Sequence, residues 1–187
     1  MLSVIDQKIC ADKEVYAYGT AWLFQQRAID FRRKLKILSW LSFGVPLLIG
    51  SLLSAFDSPN VLGTIKFIST ILGGILALWG LWGLVAGWAD ALAKAEGSIV
   101  ANTSLREEWR ELKTSNDANV NVRFAALQAK DLAREQADQL HGIAEGDKAK
   151  MMRASLMQYQ MVCVNCGIKP TSMTPPRGAN CATCSNF

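Results

Sequence analysis

Residues 37–56 read ILSWLSFGVPLLIGSLLSAF, and residues 67–89 read FISTILGGILALWGLWGLVAGWA. These runs of 20 and 23 residues contain no charged side chain. A helix rises about 1.5 Å per residue, so twenty residues cover about 30 Å, the hydrocarbon thickness of a bilayer. A soluble helix of this length normally carries a charged stripe, and neither run does. The alternative is a pair of core helices inside a soluble bundle. A secretory signal is not expected, because the first run begins only at Ile37.

The flanks predict an orientation. Arg32, Arg33, Lys34 and Lys36 immediately precede the first run, and such clusters stay on the cytoplasmic side. Asp57, Ser58, Pro59 and Asn60 have turn chemistry, so the second run is expected to return, with Val61–Lys66 starting the return helix. Trp40 and Trp88 would then share one membrane–water interface. The reading is a two-span membrane hairpin with both termini cytoplasmic.

Working outward, residues 1–36 carry 7 basic and 4 acidic groups, and residues 90–162 carry 10 and 11. With 50% hydrophobic and 19% charged residues in 187, the asymmetry excludes a disordered chain and a disulfide-knotted secreted domain. It also leaves too little chain for a large catalytic domain. The fold class expected is an all-α membrane protein. It comprises an N-terminal helix (1–36), a transmembrane hairpin (37–89, spans about 37–56 and 62–89), a cytoplasmic helical region (90–160) and a small C-terminal zinc ribbon (161–187).

Within the spans, Pro46 removes a backbone donor and predicts a kink. Gly73, Ala77, Gly80, Gly83 and Gly87 supply small residues at helical spacing, interrupted by Leu84, which suit close helix packing or a pore-facing strip. Ser39, Ser42, Ser51, Ser54, Ser69 and Thr70 can line a wet path or bond their own helix. In the N-terminal helix, Val15, Trp22, Ile29 and Lys36 fall seven apart and suggest a packing face.

Past Ala89 the second span's helix is expected to continue, with Leu105, Trp109 and Leu112 on one buried face. Thr114–Asn119 breaks it. A further helix would bury Val122, Ala126, Ala129, Ala133, Ala137, Leu140 and Ala144, and Asp147 would cap a last helix running to about Tyr159. Arg106, Arg110, Lys113, Arg123, Lys130 and Arg134 are mostly beside acidic residues and read as solvated ion pairs; the alternative is that some converge on an anionic ligand. His141 reads as a solvated helix-end residue rather than a base. No catalytic constellation stands out.

The most specific motif is Cys163, Cys166, Cys181 and Cys184, two C-x2-C pairs around a fourteen-residue spacer. Each pair can turn two thiolates toward one tetrahedral ion, and four sulfurs leave no open position for catalysis. Structural Zn2+ is expected, with two disulfides as the alternative. Gly167 suits the tight turn after the first pair. Cys10 stands apart and reads as a packed thiol.

The order of helix, hairpin and cytoplasmic helices, with Gly-Val-Pro-Leu-Leu-Ile-Gly at 44–50, resembles the SLATT family of bacterial two-span effectors. The tail, CVNCGIKPTSMTPP through CATCSNF, resembles the mobilome CxxC proteins, whose usual spacer is shorter; the extra length would lie near Pro176–Ala179. The SLATT resemblance implies a pore-forming antiphage effector causing abortive infection. It implies control by a nucleotide or short oligonucleotide from a nucleotidyltransferase or reverse transcriptase encoded nearby. One hairpin cannot enclose a lumen, so a homo-oligomer is expected, a tetramer foremost. The competing class is a non-conducting membrane adaptor whose zinc ribbon recruits a protein or nucleic acid.

Overall fold

The computed structural model describes residues 2–55 and 59–185. Five helices follow in order: α1 (Val4–Ala55), α2 (Pro59–Val85), α3 (Trp88–Thr114), α4 (Val120–Gln139) and α5 (Glu145–Gln158). No strand occurs among the described residues. The chain forms two compact units, Met1–Gln26 with Ala95–Phe187, and Arg27–Lys94. The unit boundaries thus fall inside α1 and α3, at Gln26 and Ala95, and not at the ends of the apolar runs.

In the Arg27–Lys94 unit, α1 passes through the whole first apolar run and carries Pro46 within it. α2 starts at Pro59, where a missing amide hydrogen costs nothing and φ is already helical. Pro59 and Asn60 therefore belong to the helix and not to the expected turn; Asp57 and Ser58 lie outside the described residues. Among the described residues, the single stretch Gly63–Val85 is long and apolar enough to cross a membrane, by length and composition.

The second helix does not run on past Ala89 as expected. It ends at a turn: Gly87 has φ +61, its N–H donates to Leu84 O at 3.0 Å, and α3 starts anew at Trp88. Gly87 is thus a helix-ending residue, and not part of a packing ridge, because it adopts a left-handed conformation that side-chain-bearing residues disfavour. Gly83 is buried. A Cβ there would lie 3.2 Å from the Trp88 ring and 3.5 Å from Leu38. Gly73, Ala77 and Gly80 make no such approach: the first two are exposed, Gly80 is half-buried, and a Cβ on either glycine would meet nothing within 4 Å. The hydroxyls of Ser51, Ser54, Ser69 and Thr70 bond their own helix at Leu48, Gly50, Ile65 and Lys66 carbonyls. Lys34 Nζ lies 5.8 Å from the Trp88 ring centre.

The other unit holds the first part of α1, the rest of α3, α4, α5 and the tail. Leu105, Trp109 and Leu112 are buried on one face of α3, as their spacing predicts. They pack with Leu2, Cys10, Val120 and Leu127, and Phe124 meets the Trp109 ring edge-on at 5.9 Å. Burial pushes the Cys10 thiol up, as a packed thiol requires. The expected seven-residue stripe on α1 forms only in part: Val15 is buried and Trp22 half-buried, but Ile29 is exposed, and Cys10, Glu14, Ala17, Thr20 and Phe24 are buried besides.

α4 turns the opposite way from its expected face. Val122, Ala126, Ala129 and Leu140 are exposed, and Val120, Leu127, Asp131 and Asp138 are buried. The reason is electrostatic. Asp131 pairs with Lys13, and Asp138 accepts from Asn102 and Arg134, so carboxylates occupy the inner face. Hydrophobic periodicity is blind to such satisfied polar groups. In α5, Asp147 is not the N-cap but sits three residues inside, where its carboxylate accepts the Ala144 N–H at 3.3 Å. His141 is half-buried, its ring edge-on to Phe24 at 6.2 Å.

Candidate metal centre

The tail is built from two short turns rather than the strands of a ribbon. In the first, the Gly167 N–H donates to Cys163 O at 2.8 Å, and the Cys163 N–H donates to Ile168 O at 2.9 Å. Gly167 has φ +67, the conformation its place after the first pair called for. In the second, the Ser185 N–H donates to Cys181 O at 2.9 Å, matching the Gly167 bond. Asn165 donates to Thr183 Oγ1, joining equivalent positions of the two turns.

This pseudo-symmetric pairing brings all four thiols together. Their sulfurs lie within 4.8 Å of one another, with Cys163 to Cys181 at 3.9 Å and Cys166 to Cys184 at 3.7 Å. A tetrahedral ion with metal–sulfur bonds of about 2.3 Å separates its ligands by about 3.8 Å. The donor set therefore fits one ion. None of the five cysteines is in a disulfide. The Thr183 N–H, foremost among several donors, pulls the Cys181 thiol down to about 7, whereas burial pushes Cys184 up to about 12. The four cysteines can hold a metal ion.

Residues 7–187 match the family described as Mobilome CxxCx(11)CxxC protein. The chain belongs to this mobilome CxxC family. The match takes in the helices as well as the tail, so the family likeness reaches far beyond the segment whose cysteines announced it. In this member the spacer holds fourteen residues, against the eleven of the family description. No curated protein and no solved structure matches the chain.

The longer spacer is fixed by a residue that the motif does not include. Arg153, on α5 and 4% exposed, donates from Nε to Ser172 O at 2.7 Å, from Nη1 to Cys184 O at 3.0 Å and from Nη2 to Thr174 O at 3.3 Å. Leu156 and Met152 of α5 pack against Cys163, Cys181 and Cys184. The centre is therefore seated on α5. Nothing local in the sequence separates Arg153 from the other basic residues of 90–162.

The six cations considered for an anionic ligand are all engaged by carboxylates. Arg106 pairs with Glu107, Arg110 and Lys113 with Glu14, Arg123 with Glu111, Lys130 with Glu108, and Arg134 with Asp138. They do not gather on one concavity. Arg123, Lys130 and Arg134 border the α3–α4 groove, Arg110 and Lys113 close on Glu14, and Arg106 lies 5.9 Å from the Tyr18 ring centre.

Proposed function

We propose that this mobilome CxxC protein is a membrane-embedded, pore-forming effector of a bacterial antiphage system, acting by abortive infection. One observation carries the reading. In the Arg27–Lys94 unit the large apolar side chains point outward: Trp40, Phe43, Leu47, Phe67, Leu78, Trp82 and Leu84 are all exposed. Lipid, or further copies, must cover that surface, since water does so only at about 25 cal/mol per Å2. The two runs then cross the bacterial inner membrane as a hairpin with cytoplasmic termini, the side on which Arg32, Arg33, Lys34 and Lys36 stand. Several copies, most simply four, surround the conducting path.

The SLATT-like order of elements and the word mobilome in the family description support a defence setting on mobile elements. Unit Met1–Gln26 with Ala95–Phe187 serves as the control element. A nucleotide or short oligonucleotide from a neighbouring nucleotidyltransferase or reverse transcriptase favours one pore state by its differential affinity. The exposed α4 stripe of Val122, Ala126, Ala129 and Leu140 supports self-association of this unit. The bound ion is structural Zn2+, the choice of four thiolates in a reducing compartment. It supplies folding energy, and the chain's own cysteines, turns and Arg153 do the positioning.

The test is ion flux through liposomes holding the purified protein, with the candidate nucleotides present and absent. Flux in one of the two conditions supports the pore; a sealed membrane in both overturns it. A second reading, a non-conducting adaptor, is favoured by the apolar tip of the metal module, where Val164 is 92% exposed and Ile168 54%. It predicts toxicity that requires Val164 and a partner but leaves membrane potential intact.

A further inference from the structure

A guanidinium taken out of water costs several kcal/mol unless its donors are satisfied. Arg153 is buried, and among the described residues no carboxylate pairs with it. Its donors instead meet three main-chain carbonyls, those of Ser172, Thr174 and Cys184. All three belong to the cysteine module. That module buries little besides Cys163, Cys181 and Cys184, far too small a core to fold alone. Without a metal its loops have no reason to hold those carbonyls in place.

The other side of α5 is tied to α1. Ser155 Oγ donates to Val15 O at 2.9 Å, and Tyr159 Oη donates to Glu14 Oε1 at 3.3 Å. At Gly19 the two helices approach so closely that a Cβ would stand 2.9 Å from Met151 O. α5 is thus a short, 14-residue helix held between the metal module and α1. Helices of this length are marginal on their own.

We propose that Arg153 couples metal occupancy of the four-cysteine centre to the docking of α5 on α1, so that losing the ion loosens the helical unit and not the tail alone. Arg153 is a positioning residue here. It touches no metal; it holds the carbonyls that shape the spacer, and those carbonyls in turn solvate its charge. The inference rests on the metal reading of the four cysteines. Linkage makes it reciprocal: whatever stability the ion lends to α5, α5 and Arg153 lend to ion binding.

The experiment uses the full chain in detergent, loaded with Zn2+. Zinc affinity is measured by chelator competition, and amide hydrogen exchange is followed before and after chelation, for wild type, R153M and R153K. Chelation should speed exchange in wild type along α5 and along residues 14–20 of α1, as well as in the tail. R153M should bind zinc about tenfold or more weakly, with R153K restoring part of the loss because it returns a charged donor. If R153M fails to fold, the wild-type exchange and R153K arms still decide. Exchange that speeds only beyond residue 160, or wild-type zinc affinity in the Arg153 variants, overturns the coupling while leaving the metal reading intact. Wild type that takes up no zinc at all overturns both.

Discussion

Asn102 Nδ2 donates to Asp138 Oδ2 at 2.8 Å, joining α3 to α4 through two buried polar side chains 36 residues apart. The same carboxylate accepts from Arg134 Nε at 3.1 Å, and the Asn102 amide also donates to Ser98 O at 2.9 Å. This network stands where a hydrophobic seam was expected. A satisfied polar network specifies one register between two helices, because sliding either helix strands a buried donor or acceptor.

Replacing Asp138 with Ala takes away the carboxylate that Arg134 and Asn102 share, leaving Asn102 with Ser98 O and Arg134 with Ser98 Oγ. The expected cost is about 1–3 kcal/mol, the range for stripping a hydrogen-bond partner from buried groups, since the Arg134 side chain is partly exposed and stays in reach of water. Asn102→Ala should cost about 1–3 kcal/mol. The double variant should lose clearly less than the sum, since both single changes delete one shared bond. Thermal unfolding of the full chain in detergent, followed by circular dichroism, measures all three. Simple additivity would show that the contact carries no coupling energy.

Acid should weaken the same unit through Glu14. Burial alone would raise its carboxyl, but the hydrogen bonds and charges of Lys113 and Arg110 outweigh burial and hold it below the ordinary 4.5. Lys113 Nζ stands 2.7 Å from Oε2 and Arg110 Nε 3.1 Å from Oε1. The folded value lies below the unfolded one, so ionised Glu14 adds stability above about 4.5 and loses it as pH falls through the folded value. Tyr159, pushed up to about 12 chiefly by burial and then by Glu14, keeps its proton throughout and stays a donor. Melting temperature measured between about pH 6 and pH 3 should fall more steeply for wild type than for Glu14→Gln. Parallel curves would remove Glu14 from the account.

Gly19→Ala tests the close approach of α1 and α5. The new methyl would stand 2.7 Å from Ser155 Oγ and 2.9 Å from Met151 O. The hydroxyl can swing aside, but a helix carbonyl cannot without moving its backbone. Overpacking of this kind costs about 1–3 kcal/mol. Since Ala is otherwise the better helix former, a stabilised variant would mean that the helices have room to part.

The metal site was legible because its information is local. Two C-x2-C pairs, with a glycine after the first, state a donor set able to hold a metal ion and the turn that presents it without reference to the rest of the chain. The helices were legible for a related reason: Leu105, Trp109 and Leu112 repeat at the helical period, and Thr114–Asn119 is a polar run with only Ala118 among its side chains apolar. Gly87 was harder. A glycine on a plausible small-residue spacing looks the same whether it packs against a neighbour or adopts positive φ and ends a helix.

Which way α4 faces was not written in its hydrophobic pattern. Its alanines and Val122 trace one stripe, and the structure buries another, because Asp131 finds Lys13 and Asp138 finds Asn102 and Arg134. Lys13 and Asn102 come from other helices, while Arg134 stands one turn back on α4 itself, so the value of a carboxylate depends on what the fold places opposite it. By itself, then, the sequence determined the helical character, the uncharged runs and the four-thiol centre, all set by neighbours along the chain. Only the tertiary structure decided that Glu14 would bind Arg110 and Lys113 and that Arg153 would solvate its charge with carbonyls of the cysteine module. The partners of Glu14 and Arg153 lie far along the chain, and folding alone brings them together.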